Sequence, residues 1–532
     1  MPRKWLAWTG LVVGIVLVGL FVAGLLLAHR VEPFIREQTV DYLEKRFAAD
    51  IELGSFRVSL PLNSPVDILI RGGRGARAHI TARHISLRPQ NHTSPLPLLT
   101  MRALHFEVDL PSLWSGRAIV NKVRMEGLEI NIPPKGAGRA PGSPVVSGRK
   151  RWEGRLFAPT SVLIEDIWAD GCKLAILPQD PSKAPLIFDI HRLQLESAGP
   201  GVAMRYRATL TNAKPPGLIQ CEGAFGPWVT DNPGQSPVTG RYRFDHADLA
   251  VFKGIAGILY STGGYRGRLN EIFVDGETRT PDFRLTMCGN RVPLETNFHA
   301  IVDGTNGNTL LQPVEAKLGN TTFDVRGGVV RNAGEKGKTV DLGVVLKQGR
   351  LDDLLLLAVK GSTPILRGGV ALQMKFTLPP GKGEIADRLR LAATFRLKNA
   401  HFTSSSIQDG IDSLSRRAQG QPGNPKVDEV PAQMEGRLVM ARGIVSFRDL
   451  RFAIPGAYVE LTGKYGFEKE ALDFHGKLRT QAHVSEMVGG WKHWALKPMD
   501  PFFAKEGYGA VVSIKVTGTR EKPQFGFDRG HR

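Results

Sequence analysis

Residues Trp5 to Ala28 read WLAWTGLVVGIVLVGLFVAGLLLA, without one charged side chain. At ~1.5 Å rise per residue, a helix of this length reaches about 36 Å, enough to cross a ~30 Å hydrocarbon core with some tilt. Arg3 and Lys4 precede the run, His29 and Arg30 close it, and Trp5 and Trp8 stand where interfacial aromatics anchor a span. A cleaved signal peptide is the competing reading. Its apolar region is ~7–15 residues long and ends at a small-residue site, whereas Leu25, Leu26 and Leu27 fill that place here. Residues 1–30 are therefore expected to stay as a single-pass anchor with a short cytoplasmic N-terminus. The rest of the chain, which holds no second such run, is expected to be exported.

Of 532 residues, 70 are Lys or Arg and 51 are Asp or Glu, a formal charge of +19. The excess is scattered, and its densest patch is Lys135 to Arg155, within a Pro/Gly/Ser-rich stretch that includes Arg149, Lys150 and Arg151. A nucleic-acid site needs a groove-reading element or aromatic stacking platforms, and Trp152 alone supplies neither. Residues 133–155 read as a solvated basic linker, with contact to anionic headgroups as the alternative; no nucleic-acid partner is expected. Cys172, Cys221 and Cys288 are odd in number and far apart, which makes neither a CxxC metal site nor a disulfide framework. An oxidising compartment would permit a Cys172–Cys221 bridge, but nothing in the spacing requires one.

Beyond the anchor, Val40, Leu43 and Phe47 recur at helical spacing, so Val31 to Ala49 reads as a helix. From Ile51 onward the period changes to two. Phe106, Val108 and Leu110 alternate with acids. So do Leu128, Ile130, Ile132; Met204, Tyr206, Ala208, Leu210; Phe283, Leu285, Met287; Leu342, Val344, Leu346; Leu372, Met374, Phe376, Leu378; and Val512, Ile514, Val516 with their own polar neighbours. Such alternation marks strands with one buried face, and 60 glycines and 35 prolines punctuate them. Three helices are expected to interrupt: one capped by Asp248 with Leu249, Phe252, Ala256 and Leu259 on a face, one over Leu351–Lys360 ended by Gly361, and one over Ser406–Gln419.

The motifs of common chemistries are missing: no GxxxxGK[ST], GxGxxG, GxSxG or HExxH occurs. His79 and His84 lie in a strand-like stretch without a nearby carboxylate, and the acid pairs Glu165–Asp166 and Asp352–Asp353 are adjacent, so their side chains diverge. No catalytic residue, metal or cofactor is expected, and the chain does not read as an enzyme.

Several stretches resemble one family. DYLEKRFAADIELGSFRVSL followed by HFEVDLPSLWSGRAIVNKVRMEGLEINI, then DLAVFKGIAGILYSTGGYRGRL, and finally AYVELTGKYGFEKEALDFHGKLRT with GYGAVVSIKVTGTREKPQFGFD are similar to the AsmA-like proteins of the bacterial envelope. Gly518, Thr519, Pro523 and Phe525 carry the closing motif. The likeness covers most of the chain and is structural rather than catalytic; the basic linker has no counterpart in it. It implies a mainly-β fold, with the transmembrane helix followed by a long curved antiparallel β-sheet forming an open, taco-like groove, plus a few short amphipathic helices. The organisation expected is 1–30 anchor, 31–132 N-terminal helix and β region, 133–155 linker, 156–380 central groove and 381–532 C-terminal β region.

The resemblance further implies an inner-membrane protein whose bulk lies in the periplasm and whose groove binds phospholipid acyl chains during transfer between inner and outer membranes. The lining candidates are Phe106, Val108, Leu110, Phe323, Val325, Val459, Leu461, Phe474, Leu478, Val512, Ile514 and Val516. Two readings compete with this. The same alternate residues could seal against each other in a sandwich or barrel, or the chain could act as an assembly scaffold for outer-membrane or other envelope proteins, pairing strands at an exposed edge.

Overall fold

The computed structural model describes residues 49–59, 77–89, 97–109, 117–132, 161–178, 184–198 and 201–528, the last range apart from 228, 230–231, 287–288, 333–336, 359–360, 362, 382, 425–427, 467–468, 489–496, 505–507 and 520–521. The expected anchor, nearly all of the helix after it, and the basic linker lie outside the described residues. Among those described, no helix is long and apolar enough to cross a membrane. Strand makes up 66% of the structure, so the fold is mainly β. The chain divides into two compact units, Met1–Phe244 and Asp245–Arg532.

In the first unit, β1 (Ala49–Ser59), β2 (Arg77–Pro89), β3 (Leu99–Asp109) and β4 (Arg117–Glu126) form an antiparallel series. Gly127, at φ 62°, breaks β4 from β5 (Glu129–Ile132), a left-handed conformation that glycine adopts at no steric cost. The expectation of a purely antiparallel sheet fails at the next strand: β6 (Ser161–Ile176) runs parallel to both β4 and β5. Parallel neighbours need a crossover of a dozen residues or more, and residues 133–160, the stretch that holds the basic linker, provide that length between β5 and β6. Antiparallel pairing then resumes through β7 (Leu186–Ala198), β8 (Met204–Thr211) and β9 (Leu218–Phe225), with β10 (Pro237–Asp248) crossing the unit boundary.

Apolar residues on one face build the core of this unit. Phe56, Ile80, Ala82, Val108, Val120, Val123 and Ile167 form one cluster, and Met101, Leu128, Ala169 and Cys172 a second. Cys172 and Cys221 are both free thiols, so the permitted bridge between them does not form.

The second unit opens with a correction. Asp248 does cap, its Oδ1 accepting from the Ala250 amide at 2.9 Å, but only a single 3-10 turn, Leu249–Val251, follows. Gly254 and Gly257, at φ 91° and 139°, turn the chain out of helical conformation, and it continues as β11 (Ile255–Ala256) and β12 (Ile258–Arg268). From β12 the strands form an uninterrupted antiparallel meander: β13 (Glu271–Thr280), β15 (Leu294–Val302), β16 (Thr309–Leu318), β17 (Thr321–Val330), β18 (Thr339–Arg350), β19 (Leu366–Leu378), β20 (Arg390–Phe402), β21 (Ala432–Ala441), β22 (Ile444–Ile454), β23 (Ala457–Gly466), β24 (Ala471–Thr480), β25 (Ala510–Thr519) and β26 (Pro523–Phe527). The alternating run Phe283–Met287 yields only β14 (Arg284–Leu285), a two-residue ribbon with β11.

Among the described residues two helices exceed a single turn, and both were legible as apolar stripes: α1 (Leu351–Ala358), between β18 and β19, and α3 (Ser405–Ala418), between β20 and β21. The others, α2 (Ile385–Arg388) and α4 (Asp500–Phe503), are one turn each. Glycines let the meander pack tightly. A Cβ on Gly476 would lie 1.8 Å from the Glu460 carbonyl oxygen, so β23 and β24 approach there closer than any side chain allows. Gly476→Ala must push these backbones apart and is expected to cost about 1–3 kcal/mol, the usual range for overpacking; denaturant unfolding of the variant measures it.

Candidate functional site

Because side chains alternate along a strand and every strand from β17 to β26 pairs with the next, the faces of the second unit can be followed strand to strand across the register shifts. One cross-strand row runs Val325–Val344–Met374–Ala393–Leu438–Phe447–Gly463–Phe474–Val516, from β17 to β25. Beside it runs Leu346–Leu372–Phe395–Gly436–Leu450–Leu461–Gly476–Ile514, ending opposite Phe527 on β26. Neither row contains a polar side chain. With strands ~4.8 Å apart, the span from β17 to β25 is about 38 Å, more than twice the ~15 Å half-thickness of a hydrocarbon core.

The two glycine-containing rows carry a recurrent pairing. A Cβ on Gly436 would meet the Phe395 ring at 3.3 Å, and one on Gly463 would meet the Phe474 ring at 2.6 Å. Phenyl rings thus lie over strand glycines, a device that shields exposed backbone in curved sheets. Phe447 and Phe474 flank Gly463 from the neighbouring strands with ring centroids 5.6 Å apart, within the range of favourable aromatic pairs.

The opposite face is charged. Arg396 and Arg451 both reach Glu435 at 3.2 Å, Arg437 meets Asp449 at 2.9 Å, and Arg479 meets Glu460 at 2.9 Å. The bonds from Arg451 and Arg396 hold the Glu435 carboxyl below its ordinary range. Exposed pairs of this kind contribute little stability. Their significance is that they mark the water side, leaving the apolar rows for the other.

What covers the apolar face differs along the strands. At the strand ends next to α1 and α3, Leu346, Val370, Leu397, Ala400, Ala432, Ile454 and Ala457 form a buried cluster with Leu351 and Ala418, and Leu354, Leu355, Ile411 and Leu414 of the helices pack on it. Both helices are pinned by a buried carboxylate. Asp353 accepts from Thr321 Oγ1 at 2.8 Å and from the Asn320 amide at 3.0 Å. Asp412 accepts from the Val430 amide, the Glu429 amide and Gln408 Nε2, at 2.9, 3.0 and 2.8 Å. Further along the same face Val344, Met374, Leu438, Phe447, Leu461, Ile514 and Val516 are only half-buried and lie outside the cluster.

Of the lining candidates, Val459, Leu461, Phe474, Leu478, Val512, Ile514 and Val516 come together on one face of β23, β24 and β25, and Phe323 and Val325 join the same face from β17. Val459 and Phe474 are buried; Phe323 and Leu478 pack on the helix-covered cluster. Phe106 and Val108 belong to the core of the first unit instead, and Leu110 lies outside the described residues. The candidates omitted β18 to β22, which contribute Val344, Met374, Phe395, Leu438, Phe447 and Leu450 to the same face. Among the described residues no group of three or more metal-ligating side chains occurs. The site is thus a broad apolar sheet face, covered at one end by helices, on a mainly-β chain. Searches of protein-family models, curated proteins and solved structures return no match.

Proposed function

We propose that this chain is an inner-membrane-anchored, periplasmic protein whose second unit forms an open hydrophobic β-groove, holds phospholipid acyl chains there, and takes part in lipid transfer between inner and outer membranes. The observation that carries this reading is the unbroken apolar row from Val325 to Val516, half-buried over much of its length and backed by a charged face. Large apolar surface of this kind marks a binding site, and each buried methylene of a lipid tail contributes about 0.8 kcal/mol. The resemblance to AsmA-like envelope proteins and the uncharged run Trp5–Ala28 supply the location.

The test is lipid extraction. A protease site inserted after Arg30 would release the body, and mass spectrometry of its extract is expected to find phospholipid retained in near-stoichiometric amount. A lipid-free body would sink the groove reading. It would favour strand capture from envelope proteins, which has its own motive: β26 pairs with β25 alone among the described residues, and Phe527 is 73% exposed.

A further inference from the structure

The first unit carries a polar cleft of about 410 Å³ on β7 to β10, lined by Gln194, Glu196, Arg205, Arg207, Glu222 and Arg241 over Gly223 and Gly240. Its floor admits no side chain, because a Cβ on Gly223 would stand 2.0 Å from the Thr239 carbonyl oxygen. Its charges are unevenly engaged. Arg207 is 3.7 Å from Glu222, and Glu196 accepts from Gln194 at 3.3 Å. Arg205 and Arg241 have no ion-pair partner among the described residues. Two guanidiniums without an ion-pair partner therefore border this space, in which Gln194 and Arg207 already engage Glu196 and Glu222, and Glu196 lies across the strand pair from Arg205.

A guanidinium presents parallel N–H donors that match two oxygens of a phosphate, and it keeps its charge at every working pH. Glu196 and Glu222 on the rim disfavour a polyanion, which limits the ligand to one phosphate group. We propose that this cleft binds a single phosphate, either as a free phosphate monoester or as the headgroup of an anionic phospholipid. The proposal is independent of the groove, since none of its residues lies in the second unit.

Calorimetric titration of the full chain in non-ionic detergent tests it, with inorganic phosphate, glycerol 3-phosphate and short-chain phosphatidylglycerol as probes at low salt. At least one probe is expected to bind, and Arg205→Gln together with Arg241→Gln is expected to weaken it at least about tenfold by removing two charge-assisted contacts. Both side chains are exposed, so the double variant should melt with the wild type. Arg266→Gln, at an exposed arginine that faces Asp275 in the other unit, is the control and should change nothing. Binding of the small phosphates assigns the site to the phosphate itself, and binding of phosphatidylglycerol alone assigns it to a lipid headgroup. If no probe binds, or if the double variant binds as tightly as the wild type, the cleft is only a charged patch of sheet and the proposal is overturned.

Discussion

Leu397→Asp should unfold the second unit, whereas Ile514→Asp should leave it folded and empty of lipid. Both residues sit on the same face of one sheet, and both replace a branched aliphatic side chain with a carboxylate. They differ in what lies above them. Leu397 is 5% exposed within the cluster that α1 and α3 cover, so its aspartate would be an unpaired buried charge, at a cost of several kcal/mol. Ile514 is half-buried beside the exposed Phe527 and lies outside that cluster, so its aspartate can reach water when no lipid is present. Thermal melts with phospholipid analysis of each variant separate the cases. If Ile514→Asp melts as low as Leu397→Asp, the apolar rows are sealed against another layer, and the sandwich reading replaces the groove.

Why sequence reached some of this architecture and not the rest is a matter of range. Alternation is local, so the strands around Phe106, Met204, Leu342, Leu372 and Val512 were readable, as were the stripes of α1 and α3. It failed where a bulge shifts the phase. Between Phe447 and Leu450 the register slips, so Arg448 and Asp449 stand in succession and the strict alternation of β22 breaks although Phe447 and Leu450 share a face. The β20–β21 pair has a similar slip between Leu397 and Ala400. These bulged strands hold the centre of the apolar rows, and none of their residues was among the lining candidates; Val344, Leu346, Leu372 and Met374 of β18 and β19 were read as alternating but were not placed on the lining either.

The remaining misses are non-local. An apolar stripe from Leu249 to Leu259 promised a helix, but the positive φ of Gly254 and Gly257 serves the ribbon that β11 makes with β14. The parallel placement of β6 beside β4 depends on where a long connection returns, which no window of residues records. Nor can alternation tell which strand ends a helix will cover. That depends on Asp353 and Asp412, which as sequence read as ordinary polar positions on helix faces.

Asp412 gives the second large effect expected. It is 1% exposed and accepts three hydrogen bonds, two of them from backbone amides of the 429–430 segment that leads into β21. Burial pushes its carboxyl up, but the bonds from the Val430 amide, Gln408 and the Glu429 amide together outweigh this and hold it below the usual carboxylate range. Asp412→Ala leaves those donors buried without an acceptor and should cost on the order of 3–5 kcal/mol. Asp412→Asn keeps the oxygen that faces Val430 and Gln408 but turns an amide N–H towards the Glu429 N–H, so it should cost less. The pH dependence has a definite sign. With the folded pKa depressed, the stabilisation is complete above the unfolded value of about 3.9 and is lost as pH falls through the folded one. Wild-type stability should therefore fall on acidification below about pH 4 more steeply than that of Asp412→Ala. Urea unfolding of both proteins across that range measures the difference. Equal slopes would mean that Asp412 is not the carboxylate that ties α3 down over Leu397 and Ala432, and the covered end of the face would need another explanation.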